Sequence, residues 1–300
     1  MIVLARKYGR LGNRLFNAAH VMAFAIEQKQ VFANLSFGEY AEFFEGTHRD
    51  FLCRFPPEPH ATQGKPAMAA GLYRICNLAA NVIYRLAPFV RRSNIARISV
   101  VRPVVDGKQD ELNVDPKTLP IDWNRPFQLV LFQGWLFRSF DALRLHGDTV
   151  RAHFTPVQPY RQAVAAYIAQ HREGYDFLIG IVIRHGDYKT WQGGKFFYPV
   201  EQYIALMRQV RQLLGNSKVK FLVFSDDRQD ESLFTAEGFH FDFRSGHMIE
   251  NLYALAECDR ILTPPSTYGM WASFYGKKLL YVVEDPSLPV CAESFQVCEG

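Results

Sequence analysis

Phe177-Leu178-Ile179-Gly180-Ile181-Val182-Ile183 runs without a charge into Arg184-His185-Gly186-Asp187-Tyr188. A short continuous apolar run closed by a polar, glycine-containing turn is the pattern of a strand buried on both faces. It leaves a cation and a carboxylate just past the strand's carboxyl end, where ligands bind in open α/β sheets. Downstream the periodicity keeps switching. Further strands are expected at 220–224, 239–243, 260–263 and 278–283, with helices at 200–213, 229–236, 248–257 and 268–275. That alternation predicts a parallel sheet covered on both faces. Tyr203, Leu206, Met207 and Val210 share one stripe of the first of these helices and read as packing.

Two more segments have the same design. Pro265-Ser266-Thr267-Tyr268-Gly269-Met270-Trp271 follows the apolar strand at 260–263, and Gly9-Arg10-Leu11-Gly12-Asn13-Arg14-Leu15-Phe16 follows Ile2-Val3-Leu4-Ala5. All three are strand-to-helix turns that offer donors to an anion. The N-terminal half begins as a βα unit, with a strand at 2–5, a helix at 13–26 and a strand at 31–35. Residues 36–67 have no sustained period and read as loops and short helices. A helix is expected at 72–86, with Leu72, Ile75, Leu78, Ala79, Val82, Ile83 and Leu86 on one side and Arg74 and Arg85 elsewhere, leading through Pro88 into Arg91-Arg92. Packing on its own sheet is the plainer reading, and a basic amphipathic helix lying on an anionic membrane surface is the other. A strand at 128–133 and a helix at 140–154 complete this half. The crossing between domains is expected near Thr155-Pro156-Val157-Gln158-Pro159, which gives an N-terminal domain at 1–158 and a C-terminal one at 159–300.

Length and composition agree with two α/β domains. The 300 residues suit two domains of roughly 150 each. A hydrophobic content of 48% with 21% charged residues argues against disorder. The net charge of +4 fits an acidic ligand such as a nucleotide diphosphate and is far below that of a typical nucleic-acid binder. No signal peptide or membrane anchor is visible, and five cysteines without a C-x-x-C pair favour free thiols in a reducing compartment. The expectation is a cytoplasmic, bacterial protein with peripheral contact to the inner membrane as an option.

In this order, the three turns resemble the G-G-L-G-N-Q-x-F, H-x-R-R-G-D-Y and S-T-F-S-W-W motifs of the α-1,2-fucosyltransferases of glycosyltransferase family 11. More distant relatives lie among α-1,6- and protein O-fucosyltransferases. Phe224-Ser225-Asp226-Asp227 is similar to that family's F-S-D-D turn, 251–258 to its D-x-x-L-M-S-x-C helix, and Gly134-Trp135-Leu136-Phe137-Arg138-Ser139-Phe140 to its G-Y-x-Q-S-x-x-Y-F segment. The resemblance spans most of the chain. It implies the GT-B architecture, two Rossmann-like domains facing a cleft. It also implies inverting, metal-independent transfer of fucose from GDP-fucose to a glycan hydroxyl, with α-1,2 linkage in a bacterial surface glycan and a lipid-linked acceptor as one option. No cofactor and no metal are expected, the nucleotide sugar being a substrate, and no nucleic acid is expected as a partner.

The chemistry needs charge neutralised on the leaving diphosphate, which without a metal falls to Arg or Lys and backbone N–H groups. Arg184 matches the first Arg of the motif and is the expected diphosphate contact, with a structural ion pair to Asp187 or Asp226 as the plainer reading. Asp187 is read as orienting Arg184 or the loop, and as a candidate base. His185, in place of the family's second Arg, is a candidate phosphate donor or base, or simply a loop residue. Val182 stands at the family's His. Ser266 and Thr267 either cap the next helix or also hold phosphate. Gly12 and Asn13 are expected near the donor, with Arg14 in place of Gln. Ser225 and Asp226 are expected on the nucleotide side, although both aspartates can equally cap the following helix. The Asp226-Asp227 pair also permits a Mn²⁺- or Mg²⁺-dependent alternative. Trp135, Phe137 and Arg138, with Tyr188, Lys189, Trp191 and Gln192, are the candidate acceptor surface. The rival readings are a GT-B transferase with another donor or linkage, and a binding protein without turnover.

Overall fold

The computed structural model describes residues 1–58, 66–90, 98–102, 104–105, 108–109 and 113–300. The chain divides into two compact units, one made of Met1–Val157 with Glu299–Gly300, the other of Gln158–Cys298. The last two residues thus join the first unit and not the second.

In the first unit, β1 (Ile2–Leu4) feeds α1 (Leu11–Glu27) and β2 (Phe32–Asn34). After α2 (Pro66–Val90) come β3 (Ile98–Val101), the two-residue strands β4 (Val104–Val105) and β5 (Lys108–Gln109), then β6 (Leu129–Phe132) and α3 (Phe140–His153). A parallel sheet forms in the order β2-β1-β6-β3. The edge strand β3 is not expected from the sequence, because its Ile98-Ser99-Val100-Val101 is a short run set between a basic stretch and Pro103. α1 starts two residues before the expected position, at Leu11, and buries an unbroken run from Leu15 to Ala25. It packs along α3.

α2 departs from the expected arrangement. It starts at Pro66, where a proline costs no intrahelical hydrogen bond, and passes Pro88 to end at Val90. Leu72, Tyr73 and Cys76 face the small core formed with Val3, Ala33 and Leu131, whereas Ile75, Leu78 and Val82 are exposed. The apolar arc is wider than the stripe one sheet face covers, and the sheet takes its Leu72–Cys76 side. Asn77 and Asn81 continue the inward side, bonding Gln133 and Arg102 respectively. The side chains of Ile83, Arg85 and Leu86, and all of Arg91 and Arg92, lie outside the described residues.

The second unit begins with α4 (Gln158–Arg172), a helix absent from the sequence expectation because Pro159 reads as linker. Proline is tolerated in a first turn, so the linker pattern and the helix coexist. There follow β7 (Phe177–Ile183), α5 (Val200–Leu213), β8 (Val219–Ser225), α6 (Glu231–Thr235), β9 (Phe241–Phe243), α7 (Met248–Ala256), β10 (Arg260–Thr263), α8 (Thr267–Gly276), β11 (Leu279–Val282) and β12 (Gln296–Val297). The sheet order is β12-β11-β10-β7-β8-β9, parallel except for β12. Numbered from β7, the five parallel strands run 3-2-1-4-5, the first five of the six positions in the Rossmann order. On one face, Ile179, Ile181 and Ile183 pack with Tyr203, Leu206, Met207 and Val210 of α5. On the other, Gly180 makes room for α7: a Cβ there would lie 2.4 Å from Leu255 Cδ1.

Candidate active site

The chain leaves β7 towards β8 and β9, then crosses back to place β10 on the other side of β7. The carboxyl ends of β7 and β10 therefore open a crevice at a topological switch point, the position where such sheets bind ligands. Arg184 stands at the end of β7 and Ser266 just beyond β10, with Ser225 and Asp226 at the end of the neighbouring β8.

Arg184 is held from three sides. Its Nη2 donates to Asp187 Oδ1 at 2.7 Å, and its Nε lies 3.2 Å from Asp226 Oδ2. The guanidinium carbon sits 4.9 Å from the centre of the Tyr188 ring. Both ion pairs foreseen as the plainer reading of Arg184 are thus present. They fix the cation at the switch point, which is compatible with a ligand role and does not compete with it. Asp226 does more than pair: its Oδ1 accepts the backbone N–H groups of His185 at 2.7 Å and Gly186 at 3.1 Å, so it shapes the whole turn. Gly186 suits that turn, since a Cβ would stand 3.3 Å from Asp226 Oδ2. Neither Asp226 nor Asp227 caps the next helix; that role falls to Asp230, whose side chain accepts from the Ser232 N–H. Ser225 Oγ donates to the Asp227 carbonyl and closes the same loop. Asp227 pairs with Lys189 at 3.5 Å.

Both ring nitrogens of His185 are engaged in the free protein. The Tyr198 carbonyl can only accept, so His185 Nε2, 2.7 Å away, carries the hydrogen. Nδ1 then accepts the Gln229 amide at 3.2 Å. With both nitrogens engaged and the ring against Phe197 at 4.7 Å, the imidazole braces the turn from behind. Val182 is buried within the sheet.

Ser266 caps α8, its Oγ accepting from the Tyr268 N–H at 3.3 Å, and Thr267 opens the helix. Tyr188 links this cap to Arg184, for its hydroxyl donates to the Pro265 carbonyl. That overturns its place on the acceptor surface: Tyr188 is buried core, and burial raises its pKa. Of the same loop, Trp191 is exposed, and its ring lies tilted against Tyr188 with the centroids 4.8 Å apart. Gly269 lets α8 start close on β10, a Cβ there falling 2.7 Å from Thr263 Cγ2. Trp271 is fully buried.

One residue the sequence reading passed over is Arg244, next after β9. Its side chain is almost buried, with Nη2 donating to Glu250 at 3.1 Å and the guanidinium 3.8 Å from the Tyr167 ring centre. Its Nε and Asn251 Oδ1 are buried without a hydrogen-bond partner. Arg244 and Asn251 line a pocket of about 490 Å³ with the 225–229 turn. A cation directly after a strand was the signal, the same one that marks Arg184.

Gly12 and Asn13 belong to the first unit, in the first turn of α1. Gly9 has a φ of +60°, and a Cβ on it would stand 2.1 Å from Asn13 Nδ2, so the glycine lets Asn13 fold back over the turn. Arg14 donates to the Gly9 and Ser36 carbonyls and pairs with Glu39. In the loop after β6, Phe137 is core, stacked on Phe132 at 4.2 Å, and not a sugar platform. Arg138 donates to the carbonyls of Trp135 and Phe137, and burial lowers its pKa to about 10.

Comparison with known proteins agrees with this geometry. Among solved structures, fucosyltransferase NodZ from Bradyrhizobium is similar at a TM-score of 0.56 and 15% identity, covering 96% of this chain and 96% of its own. A mutant of Arabidopsis thaliana FUT1 in complex with GDP is similar at a TM-score of 0.60 and 13% identity, covering 94% of this chain and 69% of its own. NodZ α-1,6-fucosyltransferase soaked with GDP-fucose gives 0.55 at 15% identity, over 96% of this chain and 97% of its own. At such identities the likeness is one of fold, here the GT-B type. No curated protein sequence matches the chain. The family model of glycosyl transferase family 11 matches residues 137–287, a stretch that contains the Arg184 turn, the 225–227 turn and the α8 cap, and the chain belongs to that family of glycosyltransferases.

Proposed function

We propose that this glycosyltransferase is a metal-independent, inverting fucosyltransferase that takes fucose from GDP-fucose to a glycan hydroxyl, with α-1,2 linkage in a bacterial surface polysaccharide built from the cytoplasmic side. The observation that carries the reading is Arg184, braced by Asp187, Asp226 and Tyr188 beside the capped start of α8 at the switch point. A diphosphate there meets one guanidinium and the N–H groups of a helix start, which stabilise the charge that develops as the glycosidic bond breaks. Ser225, Asp226 and the Arg244 pocket are the adjoining surface for the nucleoside. Asp187 orients Arg184 in the free protein and is the remaining candidate to act on the acceptor hydroxyl once phosphate takes its place on the guanidinium. Gly12 and Asn13 are assigned to donor contact on family resemblance.

The oxygens of Asp226 and Asp227 already face Arg184, two backbone N–H groups and Lys189, which argues against their holding Mn²⁺. Activity is therefore expected to survive EDTA, and a strict Mn²⁺ requirement would revive the metal reading. The decisive experiment is calorimetric titration with GDP, GDP-fucose, GDP-mannose and UDP sugars without added metal, on the wild type and on Arg184→Ala. Selective guanine-nucleotide binding, weakened at least about a hundredfold in the variant, supports the reading. Binding of another nucleotide would move the donor, and retained affinity in the variant would remove Arg184 from the site. Binding without turnover is a second reading, favoured by the structural role of His185 where the motif has Arg.

A further inference from the structure

α2 exposes a row of large apolar side chains that its sheet contact leaves uncovered. Met68 is 58% exposed, Ile75 67%, Leu78 66% and Val82 47%. At 3.6 residues per turn they fall within an arc of roughly 80°, so they form one stripe and not scattered surface residues. Arg74, also exposed, lies beside that stripe. The charge pattern is one-sided: from 66 to 97 the sequence has Arg74, Arg85, Arg91, Arg92 and Arg97 and neither Asp nor Glu. No helix among the described residues is long and apolar enough to cross a membrane.

We infer that the outer face of α2, from Met68 to Val82, is a docking surface for an anionic lipid bilayer, with the helix lying in the plane of the interface. An apolar stripe beside Arg74, in a stretch of sequence that holds five arginines and no carboxylate, is the composition that seats a helix at the headgroup boundary, apolar side down. Charge chooses this occupant over a second copy of the chain, because two such faces brought together oppose cations to cations with no acidic partner. An acidic protein would satisfy the arginines but leaves the contiguous Ile75, Leu78 and Val82 row to be matched separately, whereas a bilayer satisfies both at once. The surface belongs to the first unit and uses none of the residues assigned to the donor, so it stands or falls independently of that assignment.

The test is flotation of the purified protein with vesicles of phosphatidylcholine alone or mixed with phosphatidylglycerol, at low and high salt, alongside sedimentation without lipid. The wild type is expected to float with the anionic vesicles and to lose most binding in high salt. I75S/L78S should reduce partitioning by at least about tenfold, and Arg74→Glu by about fivefold or more, with melting temperature and nucleotide binding unchanged. Should the double variant fail to fold, the lipid and salt dependence of the wild type still decides. No binding to anionic vesicles, or equal binding by folded I75S/L78S, overturns the inference. So does a dimer in solution that the same substitutions dissolve.

Discussion

Arg184 has two carboxylates where a diphosphate needs none. In the free protein they neutralise a cation that would otherwise stand alone in a crevice, and they fix its plane for two-point contact with phosphate. They also compete with the ligand. Asp187, the more exposed of the two, is the one a phosphate displaces, whereas Asp226 is committed to the His185 and Gly186 N–H groups. Asp187→Asn should therefore keep or raise GDP affinity, by up to about fivefold given the modest worth of an exposed pair, while lowering kcat if the carboxylate acts on the acceptor. A GDP affinity that falls instead would make Asp187 a ligand contact or an essential brace, and titration of the variant decides. Arg184, Asp187 and Asp226 were legible from type and place: each follows a strand's carboxyl end. His185 was not. Its residue type permits base chemistry, and only the Tyr198 carbonyl and the Gln229 amide, both distant in sequence, show that its two nitrogens are already occupied.

Among the elements, α8 does most to shape the crevice. Its start is pressed onto the end of β10 through Gly269, and its last residue, Gly276, passes so near α7 that a Cβ would stand 1.9 Å from the Ala256 carbonyl oxygen. Gly269→Ala puts a methyl against buried Thr263, which overpacking data price at about 1–3 kcal/mol. The helix start must shift to admit it, so GDP affinity should fall along with the melting temperature. A stable variant with unchanged affinity would show that the Ser266–Thr267 turn is not a phosphate contact. The strands and helices of the second unit were readable because buried parallel strands are continuous apolar runs set between helices of period 3.6. α4 hid behind Pro159, and α2 showed its helical period but not which side of its wide apolar arc the sheet would take. That choice rests on Tyr73, Cys76 and the two asparagines, and is a property of packing.

At the scale of the whole molecule, stability should depend on pH most strongly through the first unit, although burial also lowers the pKa of His171 in the second. Burial lowers the pKa of His20 from 6.5 to about 3 and that of His153 from 6.5 to about 4. A group depressed in the fold binds protons more readily when unfolded, so stability is full above the unfolded value near 6.5 and drains as pH falls towards those folded values. The two histidines together carry on the order of a few kcal/mol. Thermal melts from neutral pH to about 4.5 should show the transition of the first unit falling ahead of that of the second, and a flat profile would refute the buried neutral state. The strand order of the second unit has a consequence in time as well as in space. β7 can pair with β8 after one helical crossover, but its other neighbour, β10, comes only after β9 and α7 have been laid down, and long-range pairing is slow because loop closure must precede its reward. The candidate crevice is the seam between β7 and β10, so it is expected to close late in the formation of that sheet. In refolding followed by two signals, helical content should recover before nucleotide binding, and simultaneous recovery would show that the seam zips with the rest.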